Sequence, residues 1–407
     1  MSGSNDFRGG PNSTKGIPYS GFIDTIDIEG VGRAITDEAS LVEVYLSETL
    51  LSPTLQTTVT VQDTVAINKN LDSYKSQFLN LSLYNPNIDF TLRVKQPIYR
   101  IENRKLINYH TEGYQLQACD DTLLNNAKKR MSSFYKCTNP KAVVSEALNC
   151  IDAKKIDFGQ MPPVNVRNYQ PNNIHPFQVV SEQADYSITP DGDPSYLHWM
   201  TYRDLGTHNF KSLRELTMNP TVWTYQYNDK GFDEQIKDPH NIMQYEFPCE
   251  FDVLSDIMNG LGAGKGFEPS ITAMNMFSSG SHVVNNTIGN YCCGGIGGVM
   301  HASTFTNNGS HEDDGCETNV EQYLHIRPSR MALLQRDKIS LKIIVPFNPT
   351  LHAGDMIEVN FIAKRDGSKD YGSGDYLIVN LSHNIKTGGY GISTFECVSR
   401  TVGYGEV

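Results

Sequence analysis

A histidine and an aspartate three residues apart, His352 and Asp355, stand in "IVPFNPTLHAGDMIEVNF" (344–361), between two apolar runs. An imidazole near a carboxylate is the pairing that general acid–base chemistry uses. Such a pair also needs a third group to orient it and a pocket to work in, and the flanking sequence supplies neither. Pro346 and Pro349 stiffen the stretch, and Gly354–Asp355 suits a turn back into a strand. The stretch reads as a structural corner.

Other chemistry-bearing types meet the same fate. "GLGAGKGF" (260–267) has Asn259 and Gly266 where a phosphate-binding loop requires Gly and Ser or Thr. "HEDDGCE" (311–317), with His301 and the adjacent Cys292–Cys293, has the ligand types of a soft metal site without a recognised spacing. "RDGSKDYGSGD" (365–375) lacks the glutamate that closes a calcium loop and reads as a hairpin tip. Asp191 and Asp193 in "ITPDGDPSY" (188–196) are paired carboxylates inside a loop signature. No catalytic, cofactor-binding or metal-ligating residue is assigned, and the chain is expected not to be an enzyme and to need no cofactor.

The elements around these residues come from 407 residues, 39% apolar and 20% charged, enough for two to four domains. A net charge of −12 argues against specific nucleic-acid binding, and "AKKRM" (127–131) reads as a solvated helix face. No apolar run approaches membrane-spanning length, so no membrane insertion is expected. The eight cysteines are scattered without a C-x-x-C, and "MSGSNDFRGGPNSTKGIP" lacks the apolar core of a secretory signal, so a reduced intracellular folding environment is expected.

Residues 1–17 read as a flexible N-terminal arm. Alternation marks 18–119 as β, most clearly in "LQTTVTVQ" (55–62), where Leu55, Thr57, Val59 and Val61 share a face. Helical periods follow at 120–135, at 139–151 behind Asn139–Pro140, and from "HPFQVVSEQADY" (175–186). "YLHWMTYRDLGTHNFKSL" (196–213) reads as a hairpin turning at Asp204–Leu205–Gly206, so 120–216 is expected to be an α+β domain. Residues 217–250 return to extended sequence. Twelve of the 33 glycines fall between 260 and 315, within a Gly/Ser/Asn-rich insertion placed at 251–319. From 320 to 400 alternating runs return: Ile339, Leu341, Ile343 and Val345; Ile357, Val359 and Phe361; Leu377, Val379 and Leu381. A C-terminal tail is placed at 401–407. The expected fold class is mainly β with α+β: two β-barrel-like domains, 18–119 and 217–250 with 320–400, plus the α+β domain and the insertion.

In this order of parts the chain resembles the central baseplate hub of contractile-tailed, T-even-like bacteriophages, related to the N-terminal hub part of type VI secretion spike proteins. The resemblance rests on "NNIHPFQVVSEQADYS" (172–187) running into the 196–216 hairpin, with Gly206, Asn209, Phe210, Ser212 and Leu213 in the hub spacing. It rests also on 327–400, where Leu351, Gly354, Asp355 and Ile357 match the turn at the edge of the second hub barrel. The arm and the long insertion depart from the pattern. The resemblance implies a structural virion protein of the tail baseplate, assembled in the host cytoplasm. It further implies a homotrimer whose six barrels form a pseudo-sixfold ring, adapting a hexameric tail tube to a trimeric central spike. Its partners would be that spike, tube or tube-initiator proteins, and wedge proteins of the baseplate. The competing readings are a tail-associated cell-wall hydrolase and a host-glycan adhesin using aromatic platforms.

Overall fold

The computed structural model describes residues 20–31, 35, 39–64, 77–227, 238–248, 327, 331, 334, 339–361, 369 and 372–399, and the backbone of 270–275, 281–285 and 303–307. The N-terminal arm, the C-terminal tail, the rest of the 251–319 insertion and most of 365–375 lie outside the described residues, as do the 260–267 and 311–317 motifs.

Six strands make the first region: β1 (Phe22–Ile28), β2 (Ala39–Thr49), β3 (Gln56–Asp63), β4 (Phe78–Asn85), β5 (Phe90–Asn108) and β6 (Thr111–Cys119). They pair antiparallel in the order β1-β4-β5-β6-β3-β2. The 19-residue β5 does two jobs: Phe90–Pro97 pairs with β4, and Ile98–Asn108 pairs with β6. A strand that changes partner midway turns the sheet over on itself. The turned-in face buries Ile26, Val44, Leu46, Val59, Val61, Leu83 and Leu116. Along β3 the buried residues are Thr57, Val59, Val61 and Asp63, the face that the alternation predicts.

The middle region holds α1 (Asp121–Lys128), β7 (Tyr135–Thr138), α2 (Pro140–Cys150), β8 (Ile156–Asp157), β9 (Arg167–Tyr169), α3 (Pro176–Tyr186), β10 (Tyr196–Thr201), β11 (Thr207–Ser212) and α4 (Leu213–Met218). Asp120 caps α1 through the Thr122 N–H, and Asn139 caps α2 through the Lys141 N–H ahead of Pro140. The first helix is shorter than the 120–135 expected, because Lys129 is already extended. α2 and α3 pack Val143, Val144, Leu148, Val179 and Val180 with Tyr196 and Phe210 of the β10–β11 hairpin. That hairpin turns through Arg203–Leu205, with Asp204 and Leu205 at positive φ, before Gly206.

The second region is assembled from β12 (Trp223–Tyr227), β13 (Asn241–Ile242), β14 (Gln244–Glu246), then, past a small sheet of β15 (Ser270–Asn275), β16 (Ser281–Asn285) and β17 (Ser303–Asn307), from β18 (Leu341–Pro346), β19 (Met356–Phe361), β20 (Gly374–Lys386) and β21 (Tyr390–Ser399). Pairing runs β20-β19-β12-β13, continues along the chain into β14, and returns through β18 and β21 to β20. Inside this circuit lie Tyr225, Leu341, Ile343, Ile357, Val359, Ile378 and Phe395.

The two β regions are continuous: β2 pairs with β20 from Glu43–Lys386 to Thr49–Asn380, and one 13-stranded sheet runs through both. One expectation is corrected: Leu377, Val379 and Leu381 do not share a face. The register of β20 on β21 shifts between Ile378 and Asn380. An extra residue in one strand reverses the side on which later residues point. Leu377 and Val379 therefore pack with Trp199, Leu50 and Met356, whereas Leu381 joins the second core.

Candidate functional site

The turn between β18 and β19 is built by its own polar side chains. Asn348 Oδ1 accepts from the Thr350 N–H and hydroxyl, and its amide donates to the Tyr225 hydroxyl at 3.1 Å. The His352 N–H donates to Asp355 Oδ2 at 2.9 Å, and the Asp355 N–H returns to His352 O. Gly354 sits at φ +97°, and a Cβ there would lie 3.0 Å from Trp199 Cζ2. Glycine is required at that corner both by its backbone and by the indole beside it.

The His352 ring points to a residue that the sequence left unmarked. Its Nδ1 lies 3.0 Å from Glu48 Oε1, near the end of β2. Glu48 is buried, and it also accepts from the Tyr202 N–H at 2.7 Å and the Ala353 N–H at 2.9 Å. Burial alone would raise its pKa. The charge and hydrogen bond of His352 and the two backbone N–H groups outweigh that, and the carboxyl titrates below its ordinary value. This carboxylate thus joins three separated pieces of chain: the end of β2, the β10–β11 hairpin and the β18–β19 turn.

The hairpin brings two aromatic anchors to the same place. Trp199 is buried and donates Nε1–H to Ala353 O at 3.0 Å. The Tyr202 hydroxyl donates to Gln56 O at 2.8 Å and lies 3.1 Å from Thr57 Oγ1. Outside them Arg203 reaches Asp355 at 3.4 Å on a more exposed surface. All three hydrogen bonds to Glu48 tie separate elements together, which makes the group a joint between the regions.

Beneath the hairpin lies a second polar chain, also absent from the sequence reading. His198 Nε2 is 3.1 Å from His208 Nδ1, His208 Nε2 is 3.2 Å from Thr122 Oγ1, and that hydroxyl donates to Asp120. Burial, reinforced by His208, holds His198 well below its ordinary pKa, and burial lowers His208 to about 4. Both imidazoles are neutral near pH 7 and pack against Phe177.

Asp191 accepts from the Thr189 hydroxyl and pairs with Arg214, while Asp193 is buried and accepts from the Ser195 N–H at 2.9 Å. Cys119, Cys150 and Cys397 are free thiols, but Cys137 is disulfide-bonded, which departs from a fully reduced chain. Among the described residues no three His, Cys, Asp or Glu side chains are grouped to hold a metal, and no helix is long and apolar enough to cross a membrane.

This arrangement of two curled β regions joined to a helical unit is found in solved structures. The 43 kDa tail protein of prophage MuSo2 from Shewanella oneidensis superposes with a TM-score of 0.56 at 9% identity, covering 94% of this chain and 99% of that one. The fold is that of a phage tail protein. A tail protein from Neisseria meningitidis MC58 matches with a TM-score of 0.54 at 9% identity, over 95% of this chain and 98% of the other. A component of the E. coli type VI secretion system follows at 0.49 and 8% identity, over 94% of this chain and 79% of that one. No family model and no curated protein matches the sequence. The likeness to these tail proteins thus spans nearly the whole length of the chain.

Proposed function

We propose that the chain is the structural hub of a contractile phage-tail baseplate, residing in the virion and acting without catalysis. Three copies would form a ring with two barrels from each chain. Residues 18–119 would be one barrel and 217–250 with 320–400 the other, with 120–216 projecting as the α+β domain. The observation that carries this reading is the presence of two β regions, each with its own core, joined through one sheet. Three such chains present six similar blocks, the number needed to meet a sixfold tube while the trimer itself meets a threefold spike. A head-to-tail contact repeated three times closes on itself and leaves no free end. The full-length fold shared with prophage tail proteins agrees with this reading.

A hydrolase reading fits less well, because Asp191 and Asp193 are engaged in building their own loop. The partners on this reading are the central spike, the tail tube or its initiator, and baseplate wedge proteins. Light scattering of the purified protein tests it: a mass near three times 45.5 kDa is expected. A stable monomer that also fails to bind spike and tube proteins from the same particle would sink the hub reading.

A further inference from the structure

The sheet around the β2–β20 pairing has one polar face. Opposite one another across β6, β3, β2, β20 and β21 stand Gln117, Thr58, Tyr45, Asn384 and Ile392. The next row on that side is Gln115, Thr60, Glu43, Lys386 and Tyr390. Beyond Tyr45 in the other direction lie Gln56, Ser47, Ser382 and Thr394. Residues directly opposite in a ladder share a side of the sheet. The reverse side turns Val44, Leu46, Val59 and Ile385 into the first core.

The chemistry left on this face is neutral. Glu43 and Lys386 are the only charged residues in the three rows, and they pair with one another at 3.3 Å. Neighbours also use part of the polar capacity: Thr58 Oγ1 donates to Gln117 Oε1 at 2.7 Å, and Asn384 Nδ2 donates to Glu43 Oε1 at 2.9 Å. Asn384 Oδ1 is different. It is buried and has no hydrogen-bond partner among the described residues. Buried acceptors are nearly always paired, so this one calls for a donor.

Beside that acceptor Tyr45, directly opposite Asn384, is 41% exposed. The face of an aromatic ring is electron-rich and attracts polarised C–H groups. Two strand spacings and two residues separate Tyr45 from Tyr390, which puts their Cα atoms about 12 Å apart. A ligand that suits both features carries hydroxyls to donate, a flat C–H side to stack and no net charge. That is the description of a sugar chain.

We propose that this face, centred on Tyr45 and reaching Tyr390, binds a neutral oligosaccharide. One sugar ring stacks on Tyr45 and donates a hydroxyl to Asn384 Oδ1. The Lys386 side chain, 47% exposed, swings aside to open that acceptor. Tyr390 meets a later ring of the same chain. The site does not depend on the trimer.

Calorimetric titration and saturation-transfer NMR of the full chain test it, with maltotetraose, cellotetraose and tetra-N-acetylchitotetraose as probes. The three separate an α-glucan, a β-glucan and an N-acetylhexosamine chain as the source. At least one is expected to bind with a millimolar dissociation constant, unchanged as salt rises. Tyr45→Ala should raise that constant about tenfold or more, and Tyr390→Ala by less. Tyr45→Phe, which keeps the ring, should bind as the wild type does. Tyr109 is 90% exposed but lies at the β5–β6 hairpin tip, so Tyr109→Ala should change nothing. Circular dichroism and melting temperature establish that each variant folds. Failure of the wild type to bind any of the three sugars would overturn the site. So would unchanged binding by folded Tyr45→Ala, or a loss in Tyr109→Ala that matches it.

Discussion

The two β regions of the large sheet are assembled by different routes. The first is one unbroken stretch of chain, β1 to β6, paired antiparallel throughout. The second draws on two stretches, 223–246 and 341–399, and closes through the parallel pairing of β12 with β19, joining Trp223 to Ile357. A contiguous region can form from local contacts, whereas a discontinuous one must first bring distant segments together. The first region buries polar side chains such as Thr57, Asp63 and Gln96 but no histidine among its described residues. The second region carries a buried histidine, His383, whose Nδ1 lies 2.7 Å from Ser393 Oγ. The second region should therefore be the more sensitive of the two, and the Glu48 joint should tie its fate to the first.

Breaking that tie gives the largest effect. Glu48→Ala leaves His352, Tyr202 N–H and Ala353 N–H without their acceptor in a buried place, and should cost about 3–5 kcal/mol in denaturant unfolding. If the joint couples the regions, the variant should unfold in two transitions where the wild type shows one, with the second region melting first. A single transition shifted as a whole would show that the β2–β20 pairing suffices to hold them together.

Acid separates the regions next. Burial pushes His383 down to about 4, with Glu48 opposing and His352 adding to the shift. Between that value and about 6.5 the unfolded chain binds more protons than the native one, so stability falls as pH drops through this window. At pH 5 the loss should be on the order of 2 kcal/mol for His383, with a similar loss from His208. The lowered pKa of Glu48 has the usual carboxylate sign. Its contribution is present above the ordinary carboxylate range and is lost only as pH falls through its own, lower value. Hydrogen exchange at pH 5 against pH 7 should show β20–β21 and β10–β11 losing protection while β3–β6 keep theirs.

Gly354→Ala places a methyl group against Trp199 at a backbone angle that alanine avoids, and should cost about 1–2 kcal/mol. The smallest change is Arg203→Ala. Its contact with Asp355 is at 3.4 Å and its side chain is half exposed, so thermal melting should detect a loss of roughly 0–1 kcal/mol. A loss larger than that of Gly354→Ala would move the weight of the joint from its buried centre to its rim.

Much of this was legible from period alone. The alternation at 55–62, the Asn139–Pro140 helix start and the hairpin at Asp204–Gly206 all appear where local rules place them. The turn at 352–355 was readable as a corner because proline, glycine and aspartate have local reasons to sit there. What escaped was non-local. Glu48 looks like one of many surface acids in an alternating strand, and only the arrival of Tyr202 and His352, 154 and 304 residues away, buries it. The bulge in β20 has no local mark either, since four successive buried residues, Tyr376 to Val379, are apolar on both faces of the strand. The continuous sheet was hidden for the same reason: Glu43–Thr49 alternates well enough to be an edge or a seam.

That seam has a mechanical side. β20 holds β19 at Gly374–Leu377 and β2 at Asn380–Lys386 on one edge, while β21 runs beside it on the other. A pull along the strand axis that drew the two β regions apart would stretch the seven β2–β20 residue pairs all at once, in shear, instead of peeling them open one by one. Under tension along that line the molecule should resist as a lap joint does, and under a sideways twist it should open like a zip.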